Sequence, residues 1–165
     1  MPLTRTTPRI LDATSDAEET SGTNTTTYTT STKASLVIPV GVWIVEAFIK
    51  ATAGNNGTPS SSSVKTGLSF SGTSTMDSII LRAGGSANEY INPATLQMAE
   101  NGSRLWNYDL SSNFAGYRGA IDYRRFKATV TVSGTMAIRF APAAAVASQF
   151  ARLLYGSYIR ATNVS

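Results

Sequence analysis

The sequence predicts an all-β domain, an antiparallel sandwich or barrel of about eight short strands behind an extended N-terminal arm. Three observations carry this reading. Apolar residues recur with period two from Ser35 onward, and turn-forming residues return every ~8–12 positions. Charged residues make up only 15% of the chain, against the ~25% typical of soluble domains. Serine and threonine supply much of the polar surface instead, which suits an externally exposed β protein better than a cytosolic helical enzyme. At 165 residues the chain reads as one domain, able to bury roughly 70% of the surface its unfolded form exposes. We divide it into an arm, residues 1–33, and a sandwich, residues 34–165.

The arm holds twelve threonines and three serines, with Ile10 and Leu11 as its only strongly apolar neighbours. DATSDAEET places Asp12, Asp16, Glu18 and Glu19 close together, and TSGTNTTTYTT follows. Such a segment cannot offset its own ordering entropy by apolar burial, so it is expected to be flexible alone. Two readings stand level: a disordered tail, or an arm that orders on a partner with Ile10 and Leu11 as its anchor. The acids do not follow the EF-hand spacing, so calcium is not expected.

The strands follow in order. ASLVIPV alternates Ala34, Leu36, Ile38 and Val40 against Ser35 and Val37, and Pro39 marks an edge or a strand end. VWIVEAFIKA is apolar on both faces, with Val42, Ile44 and Phe48 on one and Trp43, Val45, Ala47 and Ile49 on the other. A strand of that kind sits between two packed layers, or between its own sheet and a second subunit. AGNNGTPSSSS is a polar loop, then GLSFSG and SIILRAGG read as strands. INPATLQMAE reads as a short helical turn and RLWNYDL as a short strand. In FKATVTVSG and TMAIRFA the apolar residues alternate again, and Ser133-Gly134 between them is a tight hairpin signal. The alanine-rich stretch from Pro142 to Gln149 is a connection. A last strand, YGSYIRATNV, carries a bulge at Gly156.

Residue types exclude much chemistry. Without cysteine or histidine there is no disulfide, no Cys/His zinc site and no Cys–His or Ser–His nucleophile pair. Glu46, Asp77, Glu89, Glu100, Asp109 and Asp122 are scattered carboxylates. Asp77 and Glu89, flanking Gly84-Gly85, have the spacing any hairpin offers, so no catalytic dyad is read. P-loop, GxGxxG and GxSxG patterns are missing. No enzyme activity and no cofactor are expected.

The net charge of +4 gathers late: the last acid is Asp122, and Arg124, Arg125, Lys127, Arg139, Arg152 and Arg160 follow it. These cations are spread through strands rather than clustered, which favours a subunit contact or a solvated face over nucleic acid. The aromatics Trp43, Trp106, Tyr108, Tyr117 and Tyr123 fill a core or interface, or else form a sugar-stacking face. No apolar run reaches the ~20 residues of a membrane helix, and MPLTRTTPRI has no signal-peptide core. We expect a soluble protein made in a cytoplasm without export.

GTMAIRFA, its alanine- and serine-rich gap and LLYGSYIRATNV resemble the closing strands of tumour-necrosis-factor-like or complement-type jelly rolls of bacteriophage structural proteins. PVGVWIVEAFIKATA resembles their second strand and GLSFSGT their third. The resemblance spans roughly Thr25 to Val164. It departs from the pattern where Pro142 replaces the usual glutamine, and it does not cover the segment before Thr25.

It implies a jelly-roll sandwich forming a homotrimer on a virion. The expected function is then a capsid decoration (cement) protein that binds across major capsid subunits and stabilises the phage head. The alternative is a short tail or head fibre whose knob binds a host glycan through the loops at 55–63 and 86–92. Arg5, Arg9, Ile10 and Leu11 are expected to bind the capsid. Trp43, Val45, Phe140, Tyr155 and Tyr158 are expected at the oligomer interface.

Overall fold

A computed structural model of the chain describes residues 8–23, 25–55, 64–85, 120–142 and 149–164. They form ten strands and, among the described residues, no helix: β1 (Ile10–Thr14), β2 (Glu19–Thr20), β3 (Thr29–Ile38), β4 (Gly41–Asn55), β5 (Val64–Phe70), β6 (Thr73–Gly85), β7 (Ala120–Val132), β8 (Gly134–Pro142), β9 (Gln149–Leu153) and β10 (Tyr158–Asn163). All pairing is antiparallel. A seven-stranded sheet runs β1-β10-β4-β7-β6, with β9 also on β4 and β2 on β9. A three-stranded sheet runs β3-β8-β5.

The period-two pattern does what it predicts on the inner faces. Trp43, Val45, Ala47, Ile49 and Ala51 of β4 are buried, facing Ala34, Leu36 and Ile38 of β3 and Met136, Ile138 and Phe140 of β8 across one core. Each large side chain so enclosed contributes about 1.5–3 kcal/mol of transfer free energy. Trp43 keeps its indole N–H satisfied by donating to the Pro39 carbonyl at 2.9 Å, just beyond the end of β3.

Two expectations are corrected. The boundary drawn after residue 33 falls inside β3, and β1 and β2 from the supposed arm belong to the large sheet. Period two also does not say which strand a neighbour pairs with: Ser133-Gly134 joins no hairpin, because β7 lies in the large sheet and β8 in the small one. The chain crosses between sheets there, as it does between β3 and β4 and between β5 and β6. Two crossings press together at glycines. A Cβ on Gly134 would stand 2.1 Å from the Gly72 backbone nitrogen, and one on Gly72 2.2 Å from the Val132 carbonyl oxygen.

The single C-terminal strand read through a bulge at Gly156 is two strands with a turn between them. β9 and β10 follow one another along β4, separated by residues 154–157, where Gly156 takes a φ of 78°. The Leu154 N–H still donates to the Lys50 carbonyl across this break. The helical turn read in INPATLQMAE, the strand RLWNYDL and most of the alanine-rich connection lie outside the described residues.

Candidate functional site

β4, β7 and β10 turn their second faces outward, and the register lines these residues into rows. One row runs Thr14, Tyr158, Phe48 and Tyr123 across β1, β10, β4 and β7. The next runs Asp12, Arg160, Glu46 and Arg125, and a third runs Ile10, Thr162, Ile44 and Lys127. An aromatic row therefore lies beside a row of alternating charge, with aliphatic Ile44 and Val42 completing the surface of β4.

Contacts inside the rows hold the side chains in place. The Phe48 and Tyr158 rings stack with centroids 5.8 Å apart. Arg160 donates to Asp12 at 3.0 Å and lies over the Tyr158 ring at 5.6 Å. The Tyr123 hydroxyl donates to Glu46 at 2.8 Å, and Arg125 stands 3.7 Å from the same carboxylate oxygen. Burial and the hydrogen bond to the Glu46 carboxylate push the Tyr123 phenol above its ordinary pKa. The hydrogen bond and charge of Asp12 raise Arg160 further. Ile44, Phe48, Tyr123, Tyr158 and Glu46 are half-buried and Arg125, Lys127 and Arg160 exposed, so the middle of the face combines aromatic and aliphatic side chains with one bonded carboxylate, and cations flank it.

On this face Glu46 is engaged by a phenol and a guanidinium, whereas Asp122 is buried on the opposite face of the sheet. There Asp122 accepts hydrogen bonds from Arg124 Nε at 2.8 Å and Thr66 Oγ1 at 2.7 Å, and the Arg124 guanidinium also donates to the Thr66 carbonyl at 3.2 Å. Asp122 and Arg124 are both essentially inaccessible to water, so this group ties β7 to β5 and is a structural pair. Among the described residues no three His, Cys, Asp or Glu side chains gather to hold a metal ion.

The acids of the N-terminal segment are fixed to the domain. Asp12 meets Arg160, Asp16 meets Lys33 at 2.6 Å, and Glu18 stands 3.8 Å from Arg152. Glu19 accepts from the Thr32 backbone and hydroxyl and from Ser31, at the register shift in β3. The hydrogen bond and charge of Lys33 hold the Asp16 carboxyl below its ordinary value.

The expected site residues divide accordingly. Trp43, Val45 and Phe140 are enclosed in the chain's own core, which leaves them no surface for a partner and corrects their assignment to an interface. Tyr158 does lie on the outer face, and Tyr155 is 66% exposed at the break between β9 and β10. Leu11 packs against the core, while Ile10 is 61% exposed and Arg9 is exposed. Arg5, and the loops at 56–63 and 86–92, lie outside the described residues, as do Glu89, Glu100, Asp109, Trp106, Tyr108 and Tyr117. Sequence reasoning did not single out Phe48, weighed Glu46 only among the scattered carboxylates, and placed Tyr123 only in the group of aromatics read as core, interface or sugar-stacking face. The signal was present in the two-faced pattern of VWIVEAFIKA, but the face chosen from it was the inner one.

Comparison with protein-family models, with curated proteins and with solved structures finds no match to this chain.

Proposed function

We propose that this chain is a non-enzymatic structural subunit of a bacteriophage virion, a homotrimeric capsid decoration protein. The observation that carries the reading is the outer face of the seven-stranded sheet, where Tyr158, Phe48 and Tyr123 form an aromatic row over β10, β4 and β7. Aromatic side chains beside arginines are the residue types enriched where proteins meet. Cyclic closure covers the same face on every copy; three copies is the number the family resemblance implies. The two antiparallel sheets, between which the described strands cross six times, support its jelly-roll form. Arg9 and Ile10, exposed at the start of β1, retain the expected role toward the capsid.

Function follows mechanically. A trimer seated where major capsid subunits meet adds buried area across their junctions and resists the outward pressure of packaged DNA. Sedimentation equilibrium should give the mass of three chains, and Phe48→Glu with Tyr158→Glu should give a folded monomer that no longer decorates purified heads. A wild-type chain that stays monomeric at micromolar concentration would sink the reading.

The second reading is a fibre knob, favoured by the same Phe48–Tyr158 stack, since an aromatic face also accepts a sugar ring. Copy number separates the two: many copies per head mark a decoration protein, few mark a fibre. Binding of the isolated protein to host cells or their surface glycan would move the assignment to the fibre.

A further inference from the structure

We infer that residues 8–23 are an exchangeable strap, and that the β9–β10 edge is a strand-binding site that takes this segment from a second copy of the chain. The inference rests on the self-association proposed above, and not on what the assembly decorates.

The strap is attached as a ligand would be. β1 adds to β10 through five register pairs, Ile10↔Thr162 to Thr14↔Tyr158, and β2 adds to β9 at Glu19↔Leu153 and Thr20↔Arg152. Backbone bonds extend the pairing: Asn163 N–H to the Arg9 carbonyl, Ser15 N–H to the Ser157 carbonyl, and Ser21 N–H to the Ala151 carbonyl. This is strand addition at a sheet edge, in which main-chain bonds supply affinity and side chains supply register. The register markers are Asp12 against Arg160, Glu18 against Arg152, and Leu11 and Ala13 against the core.

Its apolar anchorage is light. Leu11 and Ala13 are only partly buried, and Ile10 is 61% exposed. The ion pairs from Asp12, Asp16 and Glu18 all lie at the surface, where such pairs add little and are screened by salt. Most of what holds the strap is polar and can be exchanged for water while it moves. Every contact to β9 and β10 is recovered on an identical neighbour, so exchange costs few contacts once copies are close.

Position and reach complete the argument. β1 is the edge strand of the face proposed for subunit contact, and its Asp12 ends the charged row on that face. Residues 22–28, which link the strap to β3, span roughly 24 Å when extended. They include Gly22 and four threonines, with Tyr28 at the β3 end held against Lys65 and Arg139.

The chain has no cysteine, so one introduced pair gives an unambiguous readout. Asp12 and Arg160 are direct register partners, within the Cα spacing a disulfide bridges. The full-length double variant Asp12→Cys/Arg160→Cys is weighed by sedimentation, oxidised mildly, and run on a denaturing non-reducing gel. Exchange predicts covalent multimers. A trimer whose disulfides all lie within single chains overturns exchange and leaves the assembly reading intact. A monomer with intrachain bonds overturns both. Absence of any disulfide means the strap does not pair with β10, which also overturns the proposal. As a second arm, differently tagged Asp12→Cys and Arg160→Cys proteins are mixed at raised ionic strength and returned to low salt. A two-tag disulfide species is expected, and its absence beside multimers of the double variant would show that the strap, once placed, does not exchange.

Discussion

Asp12 and Arg160 meet at 3.0 Å across β1 and β10, so an ion pair joins the first strand of the sheet to the last strand of the chain. Both side chains are nearly half exposed, and the pair itself is therefore expected to contribute little. Asp12→Ala should lower the urea midpoint slightly, with the difference shrinking as salt is added. Arg160→Ala should cost more, because Arg160 also covers the Tyr158 ring and sits opposite Glu46. A double-mutant cycle on urea unfolding measures both, and equal costs would remove the role given to the Tyr158 contact.

The buried pair behaves differently. Arg124→Met leaves Asp122 enclosed with its guanidinium partner gone, and an uncompensated buried charge costs about 3–5 kcal/mol. The double variant Arg124→Met/Asp122→Leu should recover much of that loss, since replacing both partners by apolar groups is often neutral or better. Chemical denaturation of the two variants decides this. A double variant as unstable as the single would mean that the shape of the ion pair, rather than its charge, holds β7 to β5.

Gly134→Ala places a methyl against the Gly72 backbone, where neither chain is a flexible side-chain end that can yield. A loss of about 2 kcal/mol or more is expected, among the larger single-site effects. Gly22→Ala is the control, since its Cβ would meet only the Thr25 methyl at 3.3 Å. Thermal unfolding of the pair should rank them in that order.

Two groups set opposite ends of the pH profile. Lys33 holds the Asp16 carboxyl below its ordinary value, so the stability it adds is present above the ordinary carboxylate range and is lost as pH falls through the depressed value. Protection of the amides in residues 10–20, taken relative to the intrinsic exchange rate at each pH, should therefore fall at acid pH before that of the core does. Burial and Glu46 raise the Tyr123 phenol, so its contribution is complete below the ordinary phenol value of about 10 and fades as pH rises toward the elevated one. Tyr123→Phe should flatten the alkaline limb of stability and remove from the ultraviolet titration a phenol that titrates above the ordinary value.

What the sequence disclosed follows from which physics is local. Alternation in VWIVEAFIKA, FKATVTV and TMAIRFA reports burial on one face of a strand, and those strands are where the pattern puts them. Pairing partners are not local: Ser133-Gly134 has hairpin chemistry, yet the strands on either side leave for different sheets. The N-terminal acids misled for the same reason. DATSDAEET looks unable to fold because its partners Arg160, Arg152, Lys33 and the Ser31–Thr32 bend lie elsewhere in the chain. For the outer face, residue type identified β4 as a two-sided strand, but only the register revealed that Phe48 stands between Tyr158 and Tyr123.

The pairing of β1 with β10 sets a timetable for synthesis. The ribosome delivers Ile10–Thr14 well before its seat on Tyr158–Asn163. Pairings so distant in sequence form slowly, because a long loop must close before any contact rewards it. Through that interval the N-terminal segment travels unattached, and its threonines and acids keep it in water instead of on a neighbour's unfinished sheet. The composition that looked like a failure to fold is what makes waiting safe.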